Sequence, residues 1–112
     1  MNQSGKAATT HFLHQRVSAA LLVPLAIWFL WAALSMVGAE HRVVLAFLAR
    51  PLNAALTILF VLAAAYHMAL GVRVVIEDYV HGGAGPALLV LNKLFALTMA
   101  LACTLAVLFI AW

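Results

Sequence analysis

The chain has 112 residues, of which 68% are hydrophobic and 8% charged, with a net charge of +3. Soluble domains are nearer half apolar and a quarter charged, so this composition excludes an ordinary water-soluble domain and points to a lipid solvent. The six Lys and Arg are scattered, which excludes a nucleic-acid surface, and the single cysteine, Cys103, excludes an internal disulfide or a thiolate-held iron–sulfur cluster.

Met1 to Thr10 is polar, with one lysine, Lys6. A secretory signal would continue into a short apolar stretch and a small-residue cleavage site. Here the apolar block is long and carries Pro24, Trp28 and Trp31, so it reads as a retained span over residues 17–37, with Arg16 at its entrance. An Arg- and Ser-rich transit peptide is absent as well, so a bacterial inner membrane is the simplest home, with a processed organellar protein as the alternative of similar appearance. Pro24 is tolerated near the first turns or kinks the helix while neighbours satisfy the freed carbonyl. Trp28 and Trp31 lie too deep for an interfacial belt and are expected to pack on lipid or partner helices.

Residues 38–50 form the first connection, with Glu40, His41, Arg42 and Arg50. Val43 to Ala49 is apolar but too short to cross, and is expected at the interface. Pro51 suits the first position of a new helix. The second span covers residues 52–75 and continues as a polar extension to about residue 80. His81-Gly82-Gly83-Ala84-Gly85-Pro86 then breaks it; without a preceding strand or a lysine-serine ending this loop is a turn, not a phosphate cradle. The third span covers residues 87–112, with Asn92 and Lys93 near its start and Cys103 as a small packing residue. The fold class is all-α: one domain of three transmembrane helices, built as part of a multi-subunit helix bundle. Lys6, Arg16, Arg73 and Lys93 fall on one side of the membrane and Arg42 and Arg50 on the other, which favours a cytoplasmic N-terminus.

Ionisable groups inside a membrane are costly and mark function by default. The deep one is His67, three residues from a span centre near Ala64, or about 4–5 Å from the midplane. Three readings stand. It is a neutral histidine bonded to another helix, worth about 1 kcal/mol; a metal or haem ligand through neutral imidazole; or a proton carrier in a small transporter. Ala63 and Gly71 share its face and would let a helix or a flat cofactor approach closely. Two axial ligands suit electron transfer by haem. His11, His14, His41 and His81 all fall at borders or in loops, so a second histidine ligand would come from another subunit.

A second group gathers where the second helix leaves the membrane: Arg73, Glu77, Asp78, Tyr79 and His81. It is either an ordinary helix end, with an Arg73–Glu77 pair and Tyr79 as a belt aromatic, or a proton-handling site of phenol, carboxylate and histidine. On the same side, Arg16 is a topology anchor or a bidentate partner for a carboxylate, and Ser18 bonds back to its own helix.

The run from His67 through Gly71 to Asp78-Tyr79 resembles the H-x3-G-x6-D-Y signature of the succinate dehydrogenase hydrophobic membrane anchor subunit, the D-type chain. The opening His14-Gln15-Arg16-Val17-Ser18 is similar to the start of that family's first helix. The resemblance covers essentially the whole chain. It implies that His67 is one axial ligand of haem b, with the other supplied by a companion cytochrome b556 subunit. It further implies that Tyr79 hydrogen-bonds a ubiquinone carbonyl with Asp78 close by in proton delivery, and that Arg16, with Ser18 and His14, sits near the haem propionates or the quinone pocket. The implied partners are the cytochrome b556 anchor, an iron–sulfur subunit, a flavoprotein subunit and membrane lipid; the chain itself is not a catalyst. A fumarate reductase anchor and a purely structural anchor without haem are the alternatives.

Overall fold

The structure is a computed structural model that describes residues 3–112, apart from the side chains of residues 3, 4 and 6–8. Lys6, counted above for orientation, has its side chain outside the described residues. Four helices follow one another: α1 (Gln3–Ser35), α2 (His41–Ala49), α3 (Pro51–Tyr79) and α4 (Ala84–Ala111). Three of them hold stretches long and apolar enough to cross a membrane, Thr9–Ser35, Pro51–Tyr79 and Ala84–Ala111. Helices are the form that satisfies every backbone group within its own segment in lipid.

The first helix begins well before residue 17, where the expected span opens. Nothing between Gly5 and Pro24 breaks a helix, so the polar opening joins the apolar block in one rod of 33 residues, about 50 Å long. It runs unbroken through Pro24. It stops at Ser35 rather than at residue 37, because Gly38 adopts φ +77°, a left-handed turn that a side chain would strain. Pro51 occupies the first turn of α3 as expected, and Asn53 Nδ2 donates to Phe47 O at 3.1 Å, closing the end of α2 onto the start of α3. The glycine loop is shorter than its sequence suggests. Gly82 turns the chain at φ +90°, and α4 resumes at Ala84 with Pro86 in its first turn, where a missing N–H costs no helical bond.

The third helix is the middle of the assembly, packing on α1, α2 and α4, while α1 and α4 do not touch among the described residues. Small side chains carry much of the close packing: Ala32, Ala54, Ala63 and Ala96 are buried, along with Ser18 and Thr57, and Leu25, Ile76 and Val107 are the larger residues buried with them among the described residues. Trp28 stacks on Phe47 at 5.9 Å and Phe29 on Phe60 at 4.7 Å. Trp28 therefore packs within its own chain, whereas Trp31 points outward.

Candidate functional site

The first helix meets α3 in opposite chain directions, so residues near the N-terminus of one face the later turns of the other. His14 and Ser18 lie one turn apart on the same side of α1, and they meet the consecutive residues Tyr66 and His67. His14 Nδ1 bonds the Tyr66 hydroxyl, with the two rings tilted and 5.9 Å apart. His67 Nδ1 lies 2.9 Å from Ser18 Oγ, and Ser18 Oγ also reaches Gln15 O at 3.0 Å. Ser18 is 6% exposed, so this junction is sealed. The His67 ring is half-buried, and its Nε2 has no hydrogen-bond partner among the described residues.

The small residues beside His67 play two different parts. Ala63 is buried. A Cβ added at Gly71 would lie 3.7 Å from Gln15 Nε2, an ordinary contact, so packing within this chain does not demand glycine there. Gln15 Oε1 and His11 Nε2, one turn apart on α1, are buried with no hydrogen-bond partner among the described residues. Beside them α1 and α4 flank α3 around a groove of about 1140 Å³, whose polar lining includes His11, His14, Tyr66, Arg73, Asn92 and Lys93. Asn92 is already committed, donating to Ala69 O at 3.0 Å.

Among the described residues no three His, Cys, Asp or Glu side chains gather to hold a bare metal ion. A porphyrin, which carries its own nitrogen donors, would need one donor from this chain. His67, with Nδ1 engaged and Nε2 unpartnered, meets that requirement.

The sequence pattern of the family described as "Succinate dehydrogenase/Fumarate reductase transmembrane subunit" matches residues 2–109. The chain belongs to this family. It is similar to the succinate dehydrogenase hydrophobic membrane anchor subunit of Rickettsia bellii, 32% identical over 93% of this chain and 84% of that one. The subunit of the same description from Paracoccus denitrificans is 32% identical over 82% of this chain and 71% of its own length. That from Rickettsia conorii is 32% identical over 69% of this chain and 62% of its own. No solved structure matches significantly. Family and spans together make the chain a multi-pass membrane-anchor subunit of a multi-subunit complex.

Within this family member, the remaining residues singled out from the sequence are not brought together. Arg16 is about 200° around α1 from both His14 and Ser18, and its guanidinium sits 5.7 Å over the Phe12 ring. Asp78 and Tyr79 close α3 and are exposed, Tyr79 at 77%, and neither side chain makes a hydrogen bond among the described residues. They stand about 16–18 Å along the axis from His67. Arg73 and Glu77 form the expected pair at 2.7 Å, and His81 lies exposed just beyond the helix. Sequence reasoning missed Tyr66. A tyrosine in an apolar run reads as a packing residue, and only the rotation of α1 against α3 reveals that His14 faces it.

Proposed function

We propose that the chain is the membrane-anchor subunit of a succinate:ubiquinone oxidoreductase, binding haem b jointly with a companion cytochrome b subunit and completing the ubiquinone-reduction site. The observation that carries this reading is His67, whose Nδ1 is engaged by Ser18 while Nε2 is left without a partner at membrane depth. His67 would supply one haem ligand and the cytochrome b556 anchor the second. When bound, haem b supplies a one-electron store near the middle of the bilayer.

The chain's own residues orient and deliver. Ser18 holds the His67 ring. Tyr79, at the end of the same helix, presents its hydroxyl to donate to a quinone carbonyl, and Asp78 beside it passes a proton inward. Arg16 on the outer face of α1 faces whatever packs there, and a haem propionate or a quinone-pocket carboxylate from the companion subunit is a bidentate match for its fork. An iron–sulfur subunit, itself fed by a flavoprotein, supplies the electrons. The membrane is a bacterial inner membrane, with the N-terminus and the loop before Ala84 on the cytoplasmic side.

A second reading, a structural anchor without haem, draws on the same Ser18–His67 bond, which ties α1 to α3 without any cofactor. The reduced-minus-oxidised spectrum of the purified complex separates the two. We expect a b-type signal in the wild type that is lost in His67→Ala; an unchanged signal in the variant would overturn the ligand assignment.

A further inference from the structure

We infer that Ser18 is the positioning residue for His67, keeping the ring proton on Nδ1 so that the Nε2 lone pair stays free for an iron porphyrin. The inference rests on the haem reading above and adds a residue with a defined job to it.

The polarity follows from counting protons. A serine hydroxyl has one proton and two lone pairs, and a neutral imidazole has one N–H and one bare nitrogen. Ser18 Oγ lies within hydrogen-bond distance of Gln15 O at 3.0 Å and of His67 Nδ1 at 2.9 Å. A carbonyl oxygen can only accept. If His67 carries its proton on Nδ1, the chain Nδ1–H to Oγ, then Oγ–H to Gln15 O, makes two hydrogen bonds. If the proton sits on Nε2 instead, the Ser18 proton has to choose between Nδ1 and Gln15 O, and one bond is lost. The Nε2–H would also be a donor with no acceptor among the described residues. In lipid neither loss is replaced by water.

Two further features hold this arrangement in place. Ser18 is 6% exposed, so its hydroxyl is largely enclosed by its own chain. The adjacent polar pair does not compete for it, because Tyr66 is taken by His14 one turn along. The hydroxyl therefore serves as an acceptor behind the ligand nitrogen, the role that a carboxylate or backbone carbonyl fills behind most metal-bound histidines. An acceptor there makes the imidazole a stronger donor and favours ferric iron.

The test uses the assembled complex carrying Ser18→Ala or Ser18→Thr. Three readouts serve: the haem midpoint potential, the low-temperature electron paramagnetic resonance spectrum and the haem retained per complex. We expect Ser18→Ala to raise the potential, alter the resonance positions and lose haem about tenfold more readily, as loss of an outer-shell partner does at other metal sites. Ser18→Thr should stay close to wild type, because a helical threonine also turns its hydroxyl to the preceding turn. A Ser18→Ala complex with full haem, wild-type potential and wild-type resonances would overturn the inference while leaving haem ligation by His67 intact. A wild-type complex without b-type absorption would remove the haem reading itself, and this inference with it. Should the alanine variant fail to assemble, Ser18→Cys keeps the shape of the side chain, slightly enlarged, with a much weaker acceptor. It should shift the potential in the same direction, and an unshifted potential there would equally overturn the assignment.

Discussion

Three polar side chains on α3 divide the work by depth. His67 is held from behind by Ser18, Tyr66 is consumed by His14, and Tyr79 is left open at the helix end. Tyr79 is 77% exposed and its hydroxyl bonds nothing among the described residues, so it is free to meet a ligand brought by another subunit. Its proposed task is one hydrogen bond to a quinone carbonyl, a contribution of about 1–1.5 kcal/mol, which corresponds to about tenfold in rate. Tyr79→Phe removes that oxygen and little else, since the ring stays. We expect quinone reduction by the complex to fall about tenfold while electron transfer from succinate to an artificial dye acceptor is unchanged. Equal quinone turnover in variant and wild type would remove Tyr79 from the site. Asp78 stands one residue earlier, about 100° around the helix, so it can serve the same pocket only from the side.

The helices themselves were largely legible, because runs of about 20 apolar residues punctuated by Gly38, Pro51 and the Gly82–Gly83 pair leave few other ways to satisfy the backbone in lipid. Hydropathy marks the membrane, however, and not the ends of the helix. It placed the first span from residue 17, and the helix that carries the span extends back to Gln3, since polar residues such as His11 and Gln15 continue a helix without difficulty. The His67 site was half legible. Its depth could be read from spacing, but its bond to Ser18 depends on how α1 is rotated about its axis, and helices apolar on most faces carry little pattern that fixes rotation. The Arg73–Glu77 pair, by contrast, follows from i,i+4 spacing alone and has the geometry expected of it, 2.7 Å. With side chains 58% and 46% exposed it is worth a few tenths of a kcal/mol at most. We therefore expect Glu77→Gln to leave the thermal stability of the assembled complex within about 0.5 kcal/mol of wild type, as followed by loss of the b-type absorption on heating.

Taken whole, the molecule presents most of its large apolar side chains outward, Trp31 at 66% and Phe109 at 87% among them, as a chain bounded by lipid and other subunits must. Its three spans place the N-terminus of α1, the C-terminus of α3 and the N-terminus of α4 at one end, and the turn at Gly38 with α2 at the other. Arg16, Arg73 and Lys93 belong to the first end, with Lys6 earlier in the same segment, and Arg42 and Arg50 to the second. Cations are retained on the cytoplasmic side, and the count of four against two is what the proposed inward placing of the first end rests on. Arg42 is further offset by its contact with Glu40 at 2.6 Å, which leaves Arg50 as the unpaired cation of the outer end among the described residues. The orientation is open to a direct test. In a Cys103→Ser background, a cysteine placed by Ala39→Cys should react with a membrane-impermeant maleimide added to spheroplasts. One placed by Gly83→Cys, where φ is ordinary and nothing lies within 4 Å of a new Cβ, should react only after the membrane is opened. The reverse pattern would put Tyr79 on the outer surface, away from any electron donor in the cytoplasm, and the proposed quinone site would fall with the orientation.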